Sequence, residues 1–577
     1  DVPVFYVPYM TFPVRDERKS GLLYPTFAVS SSNGFDLRTP YYWNIAPNYD
    51  MTLTPRFIEN RGTMLQDEFR YMPTPKQTGQ FYAEYLAEDR LAKEEANNDN
   101  ARWLINWNHQ SVLMDDSLRI STNITRVAEY DYNYFNDLSP PVSPIVDNQL
   151  MQSIAGGVYQ EQWNVSGEVR DYQILLPNAL APHKMLPRLN YNAYQDGDWY
   201  ETAFNGEVTR FTHESDLHKA YTGDRIHMEP SLTIPLAKAP GYGLETQFKL
   251  MYTHYQQDVP ADMDPYYYQQ GFGNLASTVD RTLPSARVKG GLVFDRIGNW
   301  DSHLYTQTLE PEFQYLYVPY KNQNDIGLYD TTNMLPDYYS LFSDRRFAGL
   351  DRMSDFNTIS TGLTSRVFDN QSVERVRVTV GQAYSLTLPE VTLLPNETQS
   401  TNSRSQLALE GDVHPSDPWF LKGRMLYDTE AEQVYLGSTA VEYRQDKYMG
   451  QLNYRYVREG NVVFDAPYEQ TDMSQLGGLT SVPLNQKWQA IAAYYYDLKQ
   501  HRNIDRLVGL RYDSCCWSVD LVLEQENKPD NVTLTSSTET SIGLQFQMKG
   551  LGSVGSGTDY SLNTQLLPYS RPFNLND

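Results

Sequence analysis

Two neighbouring cysteines, Cys515 and Cys516, are the residues best suited to covalent chemistry, and no other cysteine is present. They stand between two alternating stretches, residues 507–512 and 517–523, which predicts a tight turn between two strands. Neighbouring cysteines bond to each other only through a strained ring, so separate partners are preferable in an oxidising compartment. Since this chain supplies none, two free thiols and a bond between the neighbours both remain open.

The other residue types that carry catalysis form no recognised pattern. The nine histidines are scattered, and the sequence contains neither an HExxH zinc motif nor a G-x-S-x-G nucleophile turn. The 72 acidic residues are too numerous for spacing to single out a catalytic pair. We therefore predict no enzyme, no cofactor and no metal site.

The composition narrows the class of protein. A formal net charge of −25 argues against nucleic acid as a partner, because phosphate contacts need a clustered basic surface. The mean hydropathy is −0.57, and no stretch approaches the roughly 20 apolar residues of a transmembrane helix. Yet 13% of the residues are aromatic, with 45 Tyr among them. A transmembrane β-barrel fits both facts, because its strands alternate lipid-facing apolar with lumen-facing polar side chains.

Alternation with a period of two recurs along most of the chain. In residues 162–170, Trp163, Val165 and Val169 share one face, and the residues beside them are polar or small. The pattern returns at 103–108, 375–380, 450–456 and, most regularly, 541–549. A soluble sandwich or solenoid also alternates. Persistence without a domain break favours a large, closed, antiparallel all-β barrel, since open sheets rarely exceed about ten strands.

Two prolines lie inside the first two predicted strands. Pro25 falls within residues 21–30, and Pro40 falls within residues 35–45. Proline cannot donate to a β-ladder and is confined to edges or bulges. We therefore expect weak pairing beside the seam where the two ends of the barrel meet. Two harmless bulges are the alternative.

Several long, spaced stretches resemble one family closely, the LPS-assembly protein LptD family of outer-membrane lipopolysaccharide translocons. The resemblance covers essentially the whole chain. The stretches that carry it include PVFYVPY at 3–9, RWL at 102–104, YFND at 134–137, QTLEP at 307–311, YLYVPY at 315–320 and GLDR at 349–352.

The resemblance implies a domain plan and a set of partners. It implies a barrel of about 26 strands over residues 20–550, a remnant of a periplasmic jelly-roll domain at 1–19 and a C-terminal tail at 551–577. Asp1 opens no recognisable signal peptide, so we expect a processed or partial chain. The implied partners are lipopolysaccharide, outer-membrane lipid, a periplasmic transport bridge reached through the missing domain, and the lipoprotein LptE as a plug in the lumen.

The resemblance also implies the working residues. In this family the seam between the first and last strands opens as a lateral gate toward the membrane, so we expect residues 24–30 and 541–550 to separate transiently. The corresponding gate residues in this sequence are Tyr24, Pro25, Phe27, Pro40, Ile542, Leu544 and Phe546. Cys515 and Cys516 would bond to two cysteines of the missing N-terminal region, tying that domain to the barrel.

Two other functions remain as alternatives at this point. A siderophore receptor or a pilus usher has a similar length, but each needs a plug domain that this sequence does not show. An outer-membrane hydrolase would be smaller and would carry a Ser/His or Asp/His arrangement among its strands.

Overall fold

The computed structural model describes most of the chain between Arg18 and Met548. The described residues are 18–91, 100–129, 131–142, 145–146, 148–177, 179–213, 218–300, 303–458, 472–515, 517–530 and 535–548. Residues 1–17 and 549–577 lie outside this set, so the proposed domain remnant and tail stay predictions.

Over the described residues, twenty-six strands form one antiparallel sheet. The first thirteen are β1 (Gly21–Leu22 and Thr26–Ser30), β2 (Gly34–Arg38 and Tyr41–Ala46), β3 (Tyr49–Ile58), β4 (Gly62–Thr74), β5 (Gln77–Leu86), β6 (Arg102–Leu113), β7 (Leu118–Val127), β8 (Gln149–Tyr159), β9 (Trp163–Ile174), β10 (Lys184–Asp196), β11 (Glu201–Thr212), β12 (Thr222–Ala239) and β13 (Tyr242–Asp258). The other thirteen are β14 (Thr278–Leu292 and Phe294–Trp300), β15 (His303–Val318), β16 (Phe356–Phe368), β17 (Glu374–Ser385), β18 (Leu407–Val413), β19 (Trp419–Asp428), β20 (Gln433–Gln445), β21 (Tyr448–Val457), β22 (Met473–Pro483), β23 (Trp488–Asp497), β24 (Arg502–Asp513), β25 (Trp517–Asp530) and β26 (Thr535–Met548).

Each strand pairs with the next along the chain, and β26 pairs back onto β1, which closes the barrel. The connections differ between its two ends. At the end that holds Gly21 and Met548, which we call the turn end, strands are joined by two to five residues. At the opposite end, the loop end, connections reach the length of residues 319–355. The predicted all-β barrel of about 26 strands is confirmed.

Short elements occupy the long connections. They are the helices Tyr134–Leu138 and Pro265–Gln269, the 3-10 turns Phe272–Asn274 and Tyr339–Phe342, and the short strands Ile145–Val146, Thr332–Asn333 and Phe347–Ala348. Among the described residues, no helix is long and apolar enough to cross a membrane.

The wall alternates as the sequence pattern predicts. On β9, Trp163, Val165 and Val169 are 39%, 43% and 38% exposed, although all three are large and apolar. On β12, Ile226 and Met228 are exposed while Arg225, His227 and Glu229 between and beside them are buried. A soluble protein would reverse this arrangement. The wall is therefore apolar toward lipid and polar toward the lumen.

The longest connection, residues 319–355, folds into the lumen, and we call it the inner loop. Its Asp330 and Asp351 accept from the Arg225 guanidinium at 2.6 Å and 2.7 Å, and Arg225 is fully buried. Its Arg345 pairs with lumen-facing Glu229 at 2.7 Å. Buried ions are tolerated only when they are paired and hydrogen-bonded. These contacts hold the loop against β12.

The Arg225 guanidinium lowers the pKa of Asp330 in the inner loop. Burial alone would raise the pKa of Asp330, but the charge and hydrogen bonds of Arg225 outweigh burial and lower the pKa to about 2. Gly349 completes the turn with φ +77°, where a Cβ would lie 2.7 Å from the Asp330 carbonyl oxygen. Any larger residue there would push the two halves of the loop apart.

The two-sided wall predicts opposite outcomes for an arginine placed on neighbouring residues of β21. Leu452 is 57% exposed at the middle of the strand, so Leu452→Arg puts a cation in lipid and should lower the free energy of unfolding by about 2–4 kcal/mol. Gln451 faces the lumen and donates to Glu442 at 3.0 Å, so Gln451→Arg should change stability little. Denaturant titration in lipid bilayers measures both. Equal losses would contradict the assigned faces.

Candidate functional site

The barrel is closed by a very short ladder between β1 and β26. Four residue pairs join these strands, from Phe27 opposite Leu544 to Ser30 opposite Ser541. By comparison, β26 pairs with β25 over fourteen residue pairs. Backbone pairing stabilises a sheet roughly in proportion to its length, so this seam is far weaker than the joint beside it.

The two prolines lie where the seam pairing stops. β1 is interrupted at residues 23–25 and β2 at residues 39–40, which places Pro25 and Pro40 in the two gaps. The Leu23 amide donates to the Pro40 carbonyl at 2.8 Å, so the gaps are adjacent. In the described ladder, residues 545–548 of β26 have partners on β25 and none on β1. The sequence-based expectation of two continuous strands is therefore too simple: each is split at its proline.

The seam carries apolar side chains outside and small polar ones inside. Val29 and Ile542, which face each other, are 50% and 48% exposed, and Leu544 is also exposed. Ser30 and Ser541 are half-buried and line the cavity inside the barrel. The outer edge of the seam thus suits hydrocarbon, and the inner edge suits polar groups.

The remaining sequence-predicted gate residues occupy different places. Tyr24 is half-buried in the gap of β1, and the Phe27 ring lies 6.4 Å from the ring of Phe35. Phe546 pairs through its backbone with Val519 of β25, while its side chain lies outside the described part of the structure. All seven residues are therefore within or beside the seam, but of these only Phe27, Ile542 and Leu544 belong to its paired section.

A cavity of about 330 Å³ lies directly behind the seam. It is lined from the β1 side by Ala28, Ser30 and Arg38, and from the other side by Glu524, Lys528 and Ser541. Ser139 and Pro140 of the connection between β7 and β8 also line it. A polar chamber therefore adjoins the weakest point of the wall and is shared by both of its sides.

The cysteine pair lies at the turn end, between β24 and β25. The Ser514 amide donates to the Trp517 carbonyl at 2.8 Å, which closes the tight turn that the sequence predicts. Cys515 is exposed there, and Cys516 lies outside the described residues. The turn end also holds Gly21, so Cys515 lies on the same side of the barrel as the start of β1.

Sequence reasoning missed the polar contacts that cross the loop end of the seam. Lys528, Glu539 and residues 131–141 meet there, as described below. The sequence did indicate that Lys528 faces the lumen, because it is an even number of residues from Glu524 and Glu526 on the same strand. Nothing in the sequence indicated that Lys528 contacts residues 131–141 across the seam.

Comparison with known families identifies the class of protein. The family model described as LPS transport system D matches residues 100–488. A second, described as LptD protein, matches residues 1–175. Together they span the barrel strands through β22.

Curated relatives are similar over the entire chain. The LPS-assembly protein LptD of Aeromonas hydrophila is 49% identical over 596 residues, which cover 100% of this chain and 74% of the relative. The LPS-assembly protein LptD of Yersinia pestis is 39% identical and covers 99% of this chain and 74% of the relative. The chain thus corresponds to about three quarters of each relative.

Solved structures of other outer-membrane proteins match more remotely. The siderophore receptor PirA of Pseudomonas aeruginosa is 8% identical, covers 90% of this chain and 79% of its own, and gives a TM-score of 0.26. The copper transporter OprC is 11% identical, covers 91% of this chain and 80% of its own, and gives 0.27. Likeness this low carries no argument about the present chain.

The family match decides among the alternatives left by the sequence, because receptors, ushers and hydrolases belong to other families. The protein is a transport barrel of the outer membrane and is not an enzyme. On the family models and the relatives together, this chain belongs to the LPS-assembly protein LptD family.

Proposed function

We propose that the chain inserts lipopolysaccharide into the outer leaflet of the outer membrane, through its polar lumen and a lateral gate between β1 and β26. The observation that carries this proposal is the four-pair seam beside a fourteen-pair joint. The loop end would face the exterior and the turn end the periplasm. The gate strands separate while the rest of the barrel stays closed.

The amphipathic chemistry of lipopolysaccharide explains why a lateral opening in the barrel wall is needed. Lipopolysaccharide combines an anionic sugar part with acyl chains. The sugars need the polar chamber behind the seam, and the chains need hydrocarbon on its outer side, where Val29 and Ile542 are exposed. A seam that opens sideways serves both parts at once.

The free energies favour opening at this joint. A protein hydrogen bond contributes about 0.5–1.5 kcal/mol net, so at roughly one bond per residue pair a four-pair ladder contributes about 2–6 kcal/mol and a fourteen-pair ladder about 7–21. Unpaired backbone is costly in lipid, which disfavours opening a long ladder most. Thermal motion and cargo binding therefore separate β1 from β26 before any neighbouring pair.

The other proposed partners are the periplasmic bridge, the domain that precedes β1, and LptE. The first two would meet the barrel at its turn end. Lipopolysaccharide would enter there from a periplasmic bridge through the domain that precedes β1. Cys515 and Cys516 would bond to cysteines of that domain, because their turn lies on the same side as Gly21. The lipoprotein LptE would fill the lumen, since a barrel of 26 strands is wide enough to leave an aqueous hole.

Locking the seam should stop export. Ala28 and Gly543 are opposite residues of the seam, and facing residues of antiparallel strands lie within reach of a disulfide. Oxidised Ala28→Cys/Gly543→Cys protein should lose lipopolysaccharide export, and reduction should restore it. Appearance of newly made lipopolysaccharide at the cell surface measures the effect.

A disulfide elsewhere in the wall is the control for this experiment. Thr364 and Thr379 face each other on β16 and β17, and their hydroxyls are 3.1 Å apart. The oxidised Thr364→Cys/Thr379→Cys protein should export normally. Normal export through the locked seam would refute the lateral gate.

Restoring the two missing donors should tighten the gate by holding β1 more firmly. Pro25→Ala returns an amide to β1 and Pro40→Ala returns one to β2, which pairs with β1. Each ladder bond regained to β1 should lower the open population roughly two- to tenfold. Export should slow accordingly and resistance of the seam to hydrogen exchange should rise. Pro230→Ala on β12, which faces lipid far from the seam, is the control and should change neither. Unchanged export and exchange in the first two variants would speak against a role for the prolines.

A plug should be required for an impermeable barrel. The purified chain alone should conduct ions in planar bilayers, and added LptE should bind one-to-one and abolish most of the conductance. Size-exclusion chromatography with mass determination gives the ratio. A conductance that LptE leaves unchanged would contradict lumenal plugging, without bearing on the gate.

A further inference from the structure

A short segment of the connection between β7 and β8 spans the loop end of the seam. It comprises residues 131–141 with the helix Tyr134–Leu138, and we call it the clasp. Its polar groups bond to β3, β6 and Asn33 of the turn after β1 on one side of the seam, and to β25 on the other. The clasp therefore bridges the two sides that the gate must separate.

The attachment to the first strands is built from buried ion pairs. Arg102 pairs with Asp131 at 2.7 Å and with Asp137 at 2.8 Å, and Arg61 pairs with Asp137 at 3.2 Å. Both arginines also bind Asp89, which is fully buried. Burial raises the pKa of Asp89, but hydrogen bonds and charge from the two arginines outweigh it, so the pKa lies below its usual value. Asp89 thus stays ionised between the two arginines.

Apolar packing reinforces this attachment. Tyr134 and Leu138 of the clasp are fully buried against a core that includes Ile58, Met64 and Leu104. The Arg56 guanidinium donates to the Leu138 carbonyl at 2.8 Å. Removing one partner of a buried ionic network is strongly destabilising, because it leaves the other charge buried and uncompensated. This side of the clasp therefore does not release under ordinary thermal motion.

The attachment to the last strands is centred on the ammonium group of Lys528. Lys528 of β25 donates to the Asn136 carbonyl at 2.9 Å and to the Ser139 hydroxyl at 3.2 Å. It also pairs with Glu539 of β26 at 2.7 Å, which employs all three of its protons. The clasp also contacts β25 through Asn133 Nδ2, which donates to Asp530 Oδ1 at 3.0 Å. Among the described residues, no apolar core buries this side of the clasp.

Lys528 also reaches β1 through a second route. Glu539, held by Lys528, accepts a hydrogen bond from the Ser32 hydroxyl, which lies in the turn after β1. The Ser31 amide donates to the Thr540 carbonyl at 2.9 Å just beyond the ladder. The ammonium thus orients the carboxylate that holds the outermost point of the seam.

We propose that the clasp fastens the loop end of the lateral gate asymmetrically, with Lys528 as its releasable contact. The clasp stays on the β1 side when the gate opens, and the bonds of Lys528 break. Lys528 is a positioning residue, since it sets the closed position of β26 against β1. This inference rests on the lateral gate proposed above.

Hydrogen exchange tests the asymmetry in the protein bound to LptE and held in lipid nanodiscs. Lys528→Met keeps the length of the side chain and removes its charge. Peptides that contain Ser31 and residues 535–541 should exchange about tenfold to hundredfold faster, as expected for the loss of charge-assisted bonds. Peptides within residues 131–141 should keep their protection. Faster exchange of the clasp itself, or unchanged exchange at the seam, would overturn the proposal.

Two further variants separate this role from general destabilisation. Lys528→Arg retains the charge and should largely restore protection at the seam. Lys499→Met removes a lysine on another loop-end connection, where it pairs with Asp472 at 3.3 Å, and should leave the seam unchanged. Exchange that rises throughout the barrel in Lys528→Met, or equally in Lys499→Met, would reduce Lys528 to a structural role and refute the clasp.

Measurements in cells distinguish a failure of the clasp proposal from a failure of the gate proposal. In cells, Lys528→Met should admit large antibiotics that the closed barrel excludes, and the Ala28→Cys/Gly543→Cys disulfide should abolish this leak. If that disulfide blocks export while Lys528→Met leaves both the seam and the leak unchanged, the gate stands and the clasp is wrong. If the locked seam exports normally, the gate is wrong, whatever Lys528 does.

Discussion

The requirement that every backbone donor and acceptor be paired inside a membrane governs this structure. A sheet can meet it in hydrocarbon only by closing on itself, since an open edge would leave a row of unpaired groups in lipid. The barrel meets it with long ladders almost everywhere, as in the fourteen pairs of β25 and β26. The seam meets this requirement with only four residue pairs, and it is the joint at which we propose that transport through the wall occurs.

If the seam opens for cargo as proposed, it must be held shut between cargo molecules, and charged side chains in the polar lumen can do this. Ion pairs in the lumen and loops are shielded from lipid and partly from water, so a few well-placed charges have large effects. One such network fixes the inner loop through Arg225, and another holds the clasp through Arg61 and Arg102. In the proposed gate, the backbone seam is the joint that opens, and side-chain charge is the contact that resists opening.

Particular residues show how far sequence reasoning reached. The alternation of Trp163, Val165 and Val169 predicts a strand with one wet face, and the structure places these side chains outward. Pro25 and Pro40 predict weak pairing near the seam, and they lie in the gaps of β1 and β2. The sequence does not indicate that the two gaps are adjacent, or that four residue pairs remain, because register depends on how the strands stack around the whole circle.

The sequence alone determined the fold class, the period of the strands and the family. Each of these depends on local residue patterns that recur along the chain. Which distant residues meet was decided only by closure, which brings Ser32 beside Glu539 and Asn136 beside Lys528. Residues separated by hundreds of positions become neighbours at the point where the first strand returns to the last. A period of two assigns each side chain to a face, but it carries no information about its partner across the seam.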